Sequence, residues 1–137
     1  MLKPEVIRRR LQKLDEYLAI LEGLRRYKLD EFLISPERYG SAERFLQLAI
    51  EATLDMGSHV IAELELGTVE AYCDIPKILA DKGYISSELA GQWIRMIGFR
   101  NILVHEYLDV DRKVVYEVLQ HQLSDLQTLK KTFAQFL

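Results

Sequence analysis

An arginine, an asparagine, a histidine and a tyrosine fall within eight positions of the largely apolar run "GFRNILVHEYLDV", residues 98–110: Arg100, Asn101, His105 and Tyr107. Each costs free energy to bury unless it is paired or used. Their types suit one reaction. Histidine takes or gives a proton near neutrality, and arginine stays charged and grips a phosphodiester through its planar donor fork. Asparagine fixes an imidazole or adds a donor, while tyrosine offers a hydroxyl and a ring face for a base. Those parts suffice for metal-independent RNA cleavage. One imidazole deprotonates the ribose 2′-hydroxyl, attack on phosphorus makes a 2′,3′-cyclic phosphate, an acid protonates the leaving 5′-oxygen and arginine stabilises the phosphorane charge. The competing reading is structural: a histidine that caps a helix end or faces water, and an arginine paired with an acid such as Glu106 or Asp109. Residue chemistry alone leaves both open.

The four residues must be positioned by the helix that carries them. At about 100° per residue, with Arg100 as zero, Tyr107 falls at about −20°, Asn101 at about 100° and His105 at about 140°. Asn101 and His105 share one face, and Arg100 and Tyr107 another. A single straight helix does not aim all four at one small target. Two copies crossing near a two-fold axis bring the arginine side of one chain toward the histidine side of the other, and a break near residue 108 re-aims Tyr107. From Trp93 to Val104 only Arg95, Arg100 and Asn101 are polar, so this helix is apolar on nearly every side and needs cover all round. In so small a bundle the expected cover is a second copy of the chain, with Gly98 permitting close backbone approach.

Around that helix the spacing predicts the rest of the scaffold. Ile7, Leu11, Leu14, Leu18 and Leu21 form one stripe on a helix from about residue 4 to 26, with Pro4 in its first turn. Ser35 and Pro36 read as the start of a second helix, whose stripe of Phe45, Leu48, Ala49, Ala52, Met56 and Val60 runs to about Leu66. Gly57 weakens that helix without ending it. Asp74 is placed to cap a short helix over "IPKILADKG" that Gly83 closes. Ser86 or Ser87 caps the helix bearing the polar cluster, "LDVD" ends it, and Asp111 caps a last helix that keeps its period through Val115, Val118, Leu119, Leu126, Leu129, Phe133 and Leu137. Four long helices and one short one, with no strand pattern, predict an all-α antiparallel bundle.

Composition agrees and narrows the class. The 137 residues are 49% hydrophobic and 28% charged, with seven glycines and three prolines, which describes one helical domain over residues 1–137. A net charge of −3 argues against a coat protein that holds nucleic acid by bulk positive charge. Local basic groups remain at Arg8 to Arg10, at Arg25, Arg26 and Lys28, and at Lys130 and Lys131. Cys73 is the only cysteine, so no intramolecular disulfide or multi-cysteine metal site is available and a reducing compartment is expected. "MLKPEVIRRRLQ" lacks the apolar run of a signal peptide, and no stretch is long and apolar enough to span a bilayer; the expected location is the cytoplasm, with no membrane partner.

Other chemistry is weaker. His59 lies four residues after Asp55 and four before Glu63, a spacing that puts two carboxylates and an imidazole on one helix face. The paired Glu-x-x-His segments of dinuclear bundle enzymes are missing, so His59 reads as a partly exposed helix residue and no metal is expected. His121 reads as solvated. Neither a glycine-rich phosphate loop nor a nucleophile elbow occurs. Trp93 and Phe99 read as core or interface anchors.

Read as a pattern, Arg100, His105 and Tyr107 have the form R-x4-H-x-Y, which resembles the R-x4-6-H motif of HEPN domains, with Asn101 as the polar residue those domains favour after the arginine. The segments "ERFLQLAIEATLDMGSHVIAE" and "ISSELAGQWIRMIGFRNILVHEY" resemble the HepT group of HEPN toxins in wording and position, and the likeness covers most of the chain. It implies an all-α homodimer with a composite cleft, the toxin of a type VII toxin–antitoxin system that cleaves cellular RNA, mRNA or tRNA, without a cofactor. By position Arg100 and His105 would be catalytic and Asn101 supporting. The implied partner is an MntA-type nucleotidyltransferase antitoxin that transfers AMP to the motif tyrosine, here Tyr107. The same resemblance also admits a non-catalytic HEPN module that binds nucleotides and the transferase.

Overall fold

The computed structural model describes residues 2–137; the side chain of Tyr107 lies outside what it describes. Seven α-helices and no strand occur among the described residues: α1 (Pro4–Leu24), α2 (Leu29–Leu33), α3 (Pro36–Glu63), α4 (Asp74–Asp81), α5 (Ser87–His105), α6 (Arg112–His121) and α7 (Leu123–Ala134). A 3-10 turn, Tyr107–Asp109, joins α5 to α6. No described helix is long and apolar enough to cross a membrane.

The α1 stripe is buried as its spacing predicts, with Ile7, Leu11, Leu14, Leu18 and Leu21 all facing the core. It lies along α3, the longest helix, and α7 also packs against α1. Because α3 touches every other α-helix, it buries residues on more than one face, from Ala42 and Leu46 to Val60 and Ile61. Proline stands in the first turn of both α1 and α3, where its missing N–H has no intrahelical partner to lose.

Two expected caps and one stop are observed. Ser86 Oγ accepts the Leu89 N–H at 3.0 Å at the start of α5, and Asp111 Oδ1 accepts the Lys113 N–H at 2.9 Å at the start of α6. After α4, Gly83 takes φ +82; its N–H reaches Ala80 O and the Tyr84 N–H reaches Leu79 O, which satisfies carbonyls that the helix end leaves open.

Three details differ from the periodicity. Asp74 does not cap α4: it is already the helix's first residue, and its carboxylate accepts the N–H groups of Glu70 and Ala71, both at 3.0 Å, in the turn before it. Those backbone donors, Ala71 first, hold the Asp74 carboxyl below its usual range, so the ion pins the 69–73 segment. The five-residue α2 is additional: Glu31 Oε1 accepts the Lys28 N–H at 2.9 Å and Phe32 is fully buried. The last helix is two, bent at Gln122, which lets α6 lie against α2 and α3 while α7 lies against α1, α3 and α5.

Trp93 knits the centre. It has no exposed surface, its Nε1–H donates to Thr53 Oγ1 at 3.0 Å, and its ring meets Phe133 edge-on at 5.9 Å. Thr53 in turn donates to Ile50 O at 2.6 Å, so the one buried polar side chain of α3 is satisfied twice. Gly57 explains how α4 and α5 come so near α3. A Cβ there would lie 2.4 Å from Ile75 Cγ2 and 3.2 Å from Trp93 Cη2, and this close approach offsets the roughly 1 kcal/mol that glycine costs inside a helix.

Candidate functional site

α5 buries Ala90, Trp93, Met96, Ile97, Phe99 and Leu103. Arg95, Gly98, Asn101, Ile102 and His105 remain exposed, and a Cβ on Gly98 would meet nothing within 4 Å. One face of this mostly apolar helix is therefore open in the single chain. The face carries two of the polar cluster, Asn101 and His105, one helical turn apart as their spacing requires.

Arg100 points elsewhere, toward α3. Its Nε lies 2.9 Å and its Nη2 2.8 Å from Glu51 Oε2, and its Nη1 donates to Asn101 Oδ1 at 3.1 Å. The acid paired with Arg100 is thus Glu51, not Glu106 or Asp109, because residue 100 lies against α3 while Glu106 and Asp109 stand exposed beyond the helix end. Gln47 Nε2 donates to the same Glu51 oxygen at 3.1 Å. On the other side the Tyr72 ring centroid is 5.3 Å from Arg100 Cζ, within cation–π range. The guanidinium side chain is 14% exposed and its carboxylate partner 28%, so the pair sits at a rim rather than in the core.

One helical turn along α3, Asp55 continues the line of charges and pairs with Arg10 at 3.4 Å. Burial raises the Asp55 carboxyl above its usual range, Arg10 opposes that, and the Glu51 charge adds to it. Glu51, Leu54, Asp55, Tyr72 and Arg100 surround a small cavity of about 110 Å³. Beside it runs a larger open groove of about 660 Å³, between the 69–73 segment and Ile94, Ile97, Gly98 and Asn101 of α5. Cys73, a free thiol, lies on its wall.

The structure brings Arg100 and Asn101 into contact, and it leaves His105 exposed at the last position of α5. The backbone of Tyr107 opens the 3-10 turn that follows, so the chain leaves the helix before this residue; its side chain is the part of the expected site outside the described residues. Glu51 and Tyr72 escaped the sequence reading. Gln47, Glu51 and Asp55 do form a polar i, i+4 strip on α3 beside the apolar stripe, which was the available signal.

Among the described residues no group of histidine, cysteine and acidic side chains is arranged to hold a metal. His59 Nε2 instead accepts the backbone N–H of Lys3 at 3.4 Å, and Asp55 is taken by Arg10. His121 is exposed, 3.3 Å from Glu117. Several basic residues are likewise engaged: Arg8 with Glu5, Arg25 with Glu22 and Lys130 with Asp15. Arg26, 2.6 Å from the Tyr27 hydroxyl, and Arg38, 3.9 Å over its ring, hold that phenol below its usual range.

A family model described as "Ribonuclease HepT-like" matches residues 8–133. The tRNA nuclease HepT of Aphanizomenon flos-aquae is 32% identical over 126 residues, covering 89% of this chain and 83% of that protein. The mRNA nuclease HepT of Shewanella oneidensis is 33% identical over 82 residues, 60% of this chain and 62% of its own. In three dimensions the chain superposes on a tri-AMPylated HEPN toxin of S. oneidensis solved in complex with its MNT antitoxin, with a TM-score of 0.87 at 23% identity over 95% of this chain and 97% of that one.

Proposed function

Because the chain belongs to the family of HepT-like ribonucleases, we propose that it is the toxin of a toxin–antitoxin pair and cleaves RNA at a cleft shared by two copies of α5. The observation that carries this reading is one stretch of α5: a guanidinium held at a rim, with an asparagine against it, next to an exposed histidine on an open helix face. His105 of one protomer takes the proton of the ribose 2′-hydroxyl as that oxygen attacks phosphorus. The P–O5′ bond breaks, a second imidazolium, supplied by the other protomer, protonates the leaving 5′-oxygen, and Arg100 stabilises the charge on the phosphorane. Asn101 supports Arg100 through its Oδ1. Pairing along the open α5 face buries Gly98 and Ile102 and gives the cleft both imidazoles.

Regulation follows from the place of Tyr107. An MntA-type nucleotidyltransferase antitoxin uses the Tyr107 hydroxyl to attack the α-phosphorus of ATP; pyrophosphate leaves and a tyrosyl–AMP phosphodiester remains. A bulky anion beside the cleft then repels and blocks an RNA backbone. Two measurements test the reading. Purified protein is expected to cut single-stranded RNA in excess EDTA, leaving 2′,3′-cyclic phosphate ends; no cutting on a broad RNA panel overturns the nuclease assignment. Incubation with the cognate transferase and ATP is expected to add whole multiples of the AMP mass at Tyr107, and an adduct located elsewhere removes the regulatory step.

A further inference from the structure

We propose that Glu51 is a positioning residue for Arg100, and that its carboxylate trades RNA affinity for the orientation of the guanidinium. This deepens the nuclease reading and rests on it. Arginine carries a large rotamer entropy, which an unheld side chain would give up each time it met a phosphodiester. Here that freedom is already removed. Glu51 Oε2 accepts Nε–H and lies 2.8 Å from Nη2, Asn101 Oδ1 takes one Nη1–H, and the Tyr72 ring covers a face. Of the five N–H donors of a guanidinium, at least one on Nη1 and one on Nη2 are left over.

The carboxylate is itself fixed. Gln47 donates to the oxygen that binds Arg100, so the orientation is set by α3 as a rigid element and not by a mobile surface pair. Orientation comes with a charge. A carboxylate within 2.8–2.9 Å of the guanidinium cancels much of the positive field that an RNA backbone would feel. Glu51 therefore favours turnover and works against binding, and an uncharged residue of the same shape separates the two.

Glu51→Gln keeps an acceptor oxygen for Arg100 and removes the charge. Its kcat is expected to stay close to that of the wild type while KM falls, and the plot of log KM against log salt steepens by about 0.7, the contribution of one more phosphate contact on single-stranded nucleic acid. Glu51→Ala removes the acceptor as well, and kcat is expected to fall about 10–100-fold, the scale of a misplaced catalytic group. A purely structural ion pair moves neither the salt slope nor the split between kcat and KM. If Glu51→Ala cleaves with wild-type constants while Arg100→Ala is inactive, the positioning role is overturned and the nuclease site stands. If Glu51→Gln loses as much kcat as Glu51→Ala, or leaves the salt slope unchanged, the trade between charge and orientation is overturned. If Arg100→Ala itself cleaves normally, the site assignment falls first. Should Glu51→Ala fail to fold, Glu51→Gln alone decides through its KM and salt slope.

Discussion

His105→Ala is expected to lower RNA cleavage by about 10²–10⁴-fold, the range that a positioned acid or base contributes, with little change in stability. The two halves of that expectation have different causes. The imidazole is exposed at the C-terminal position of α5, so its removal opens no cavity and leaves no buried group unpaired. Its loss in a paired assembly takes both imidazoles from the cleft at once. Arg100→Ala is expected to cost about 10²–10³-fold by withdrawing charge from the phosphorane, and it leaves Glu51 and Asn101 without their shared partner. Cleavage rates in EDTA, with circular dichroism and sedimentation on the same samples, check all of this together. Variants that cut like the wild type would return the chain to the non-catalytic reading, in which the HEPN domain only binds nucleotides and its transferase.

Trp93→Ala is expected to cost about 3–5 kcal/mol of folding stability and to lower the melting temperature by roughly 10–20 °C. The ring joins three helices, α5 through its own backbone, α3 through the hydrogen bond to Thr53, and α7 through Phe133. Alanine leaves a void among all three and takes from Thr53 the N–H that its hydroxyl oxygen accepts. Trp93→Phe fills most of the space and is expected to lose less, because only the hydrogen bond and part of the ring volume go. Urea or thermal unfolding measures both; a loss below about 1 kcal/mol for alanine, the size of one ordinary hydrogen bond, would mean that the three helices are held by other contacts.

Much of the scaffold was legible because burial has a period. The α1 stripe, the Ser86 and Asp111 caps and the Gly83 stop are local chemistry written in adjacent residues. The misses have a common form. The bend at Gln122 is invisible to periodicity because Leu119, Leu123 and Leu126 keep their spacing across it and all stay buried, and the Gln122 N–H still reaches Val118 O. One-turn α2 is too short to show a period, and what holds it is Phe32 packed on Tyr116, 5.2 Å between ring centres and distant in sequence. Asp74 is the first residue of α4, one past the cap position, and its carboxylate serves the turn before it. For the site, residue types suggested a chemistry without deciding it, and helical angles separated Arg100 from His105. The partner of Arg100 stands 49 positions away on α3, and local spacing carries no information about which of several acids a fold will bring alongside.

A single sulfhydryl, half-buried on the wall of the groove beside α5, gives the chain one natural attachment point for a spin label or fluorophore. The two-fold assembly proposed on α5 would then hold one pair of equivalent labels, and pulsed electron resonance is expected to read a single interprobe distance in the unmutated sequence. The same label reports whether nucleotide transfer or RNA alters the spacing of the two protomers.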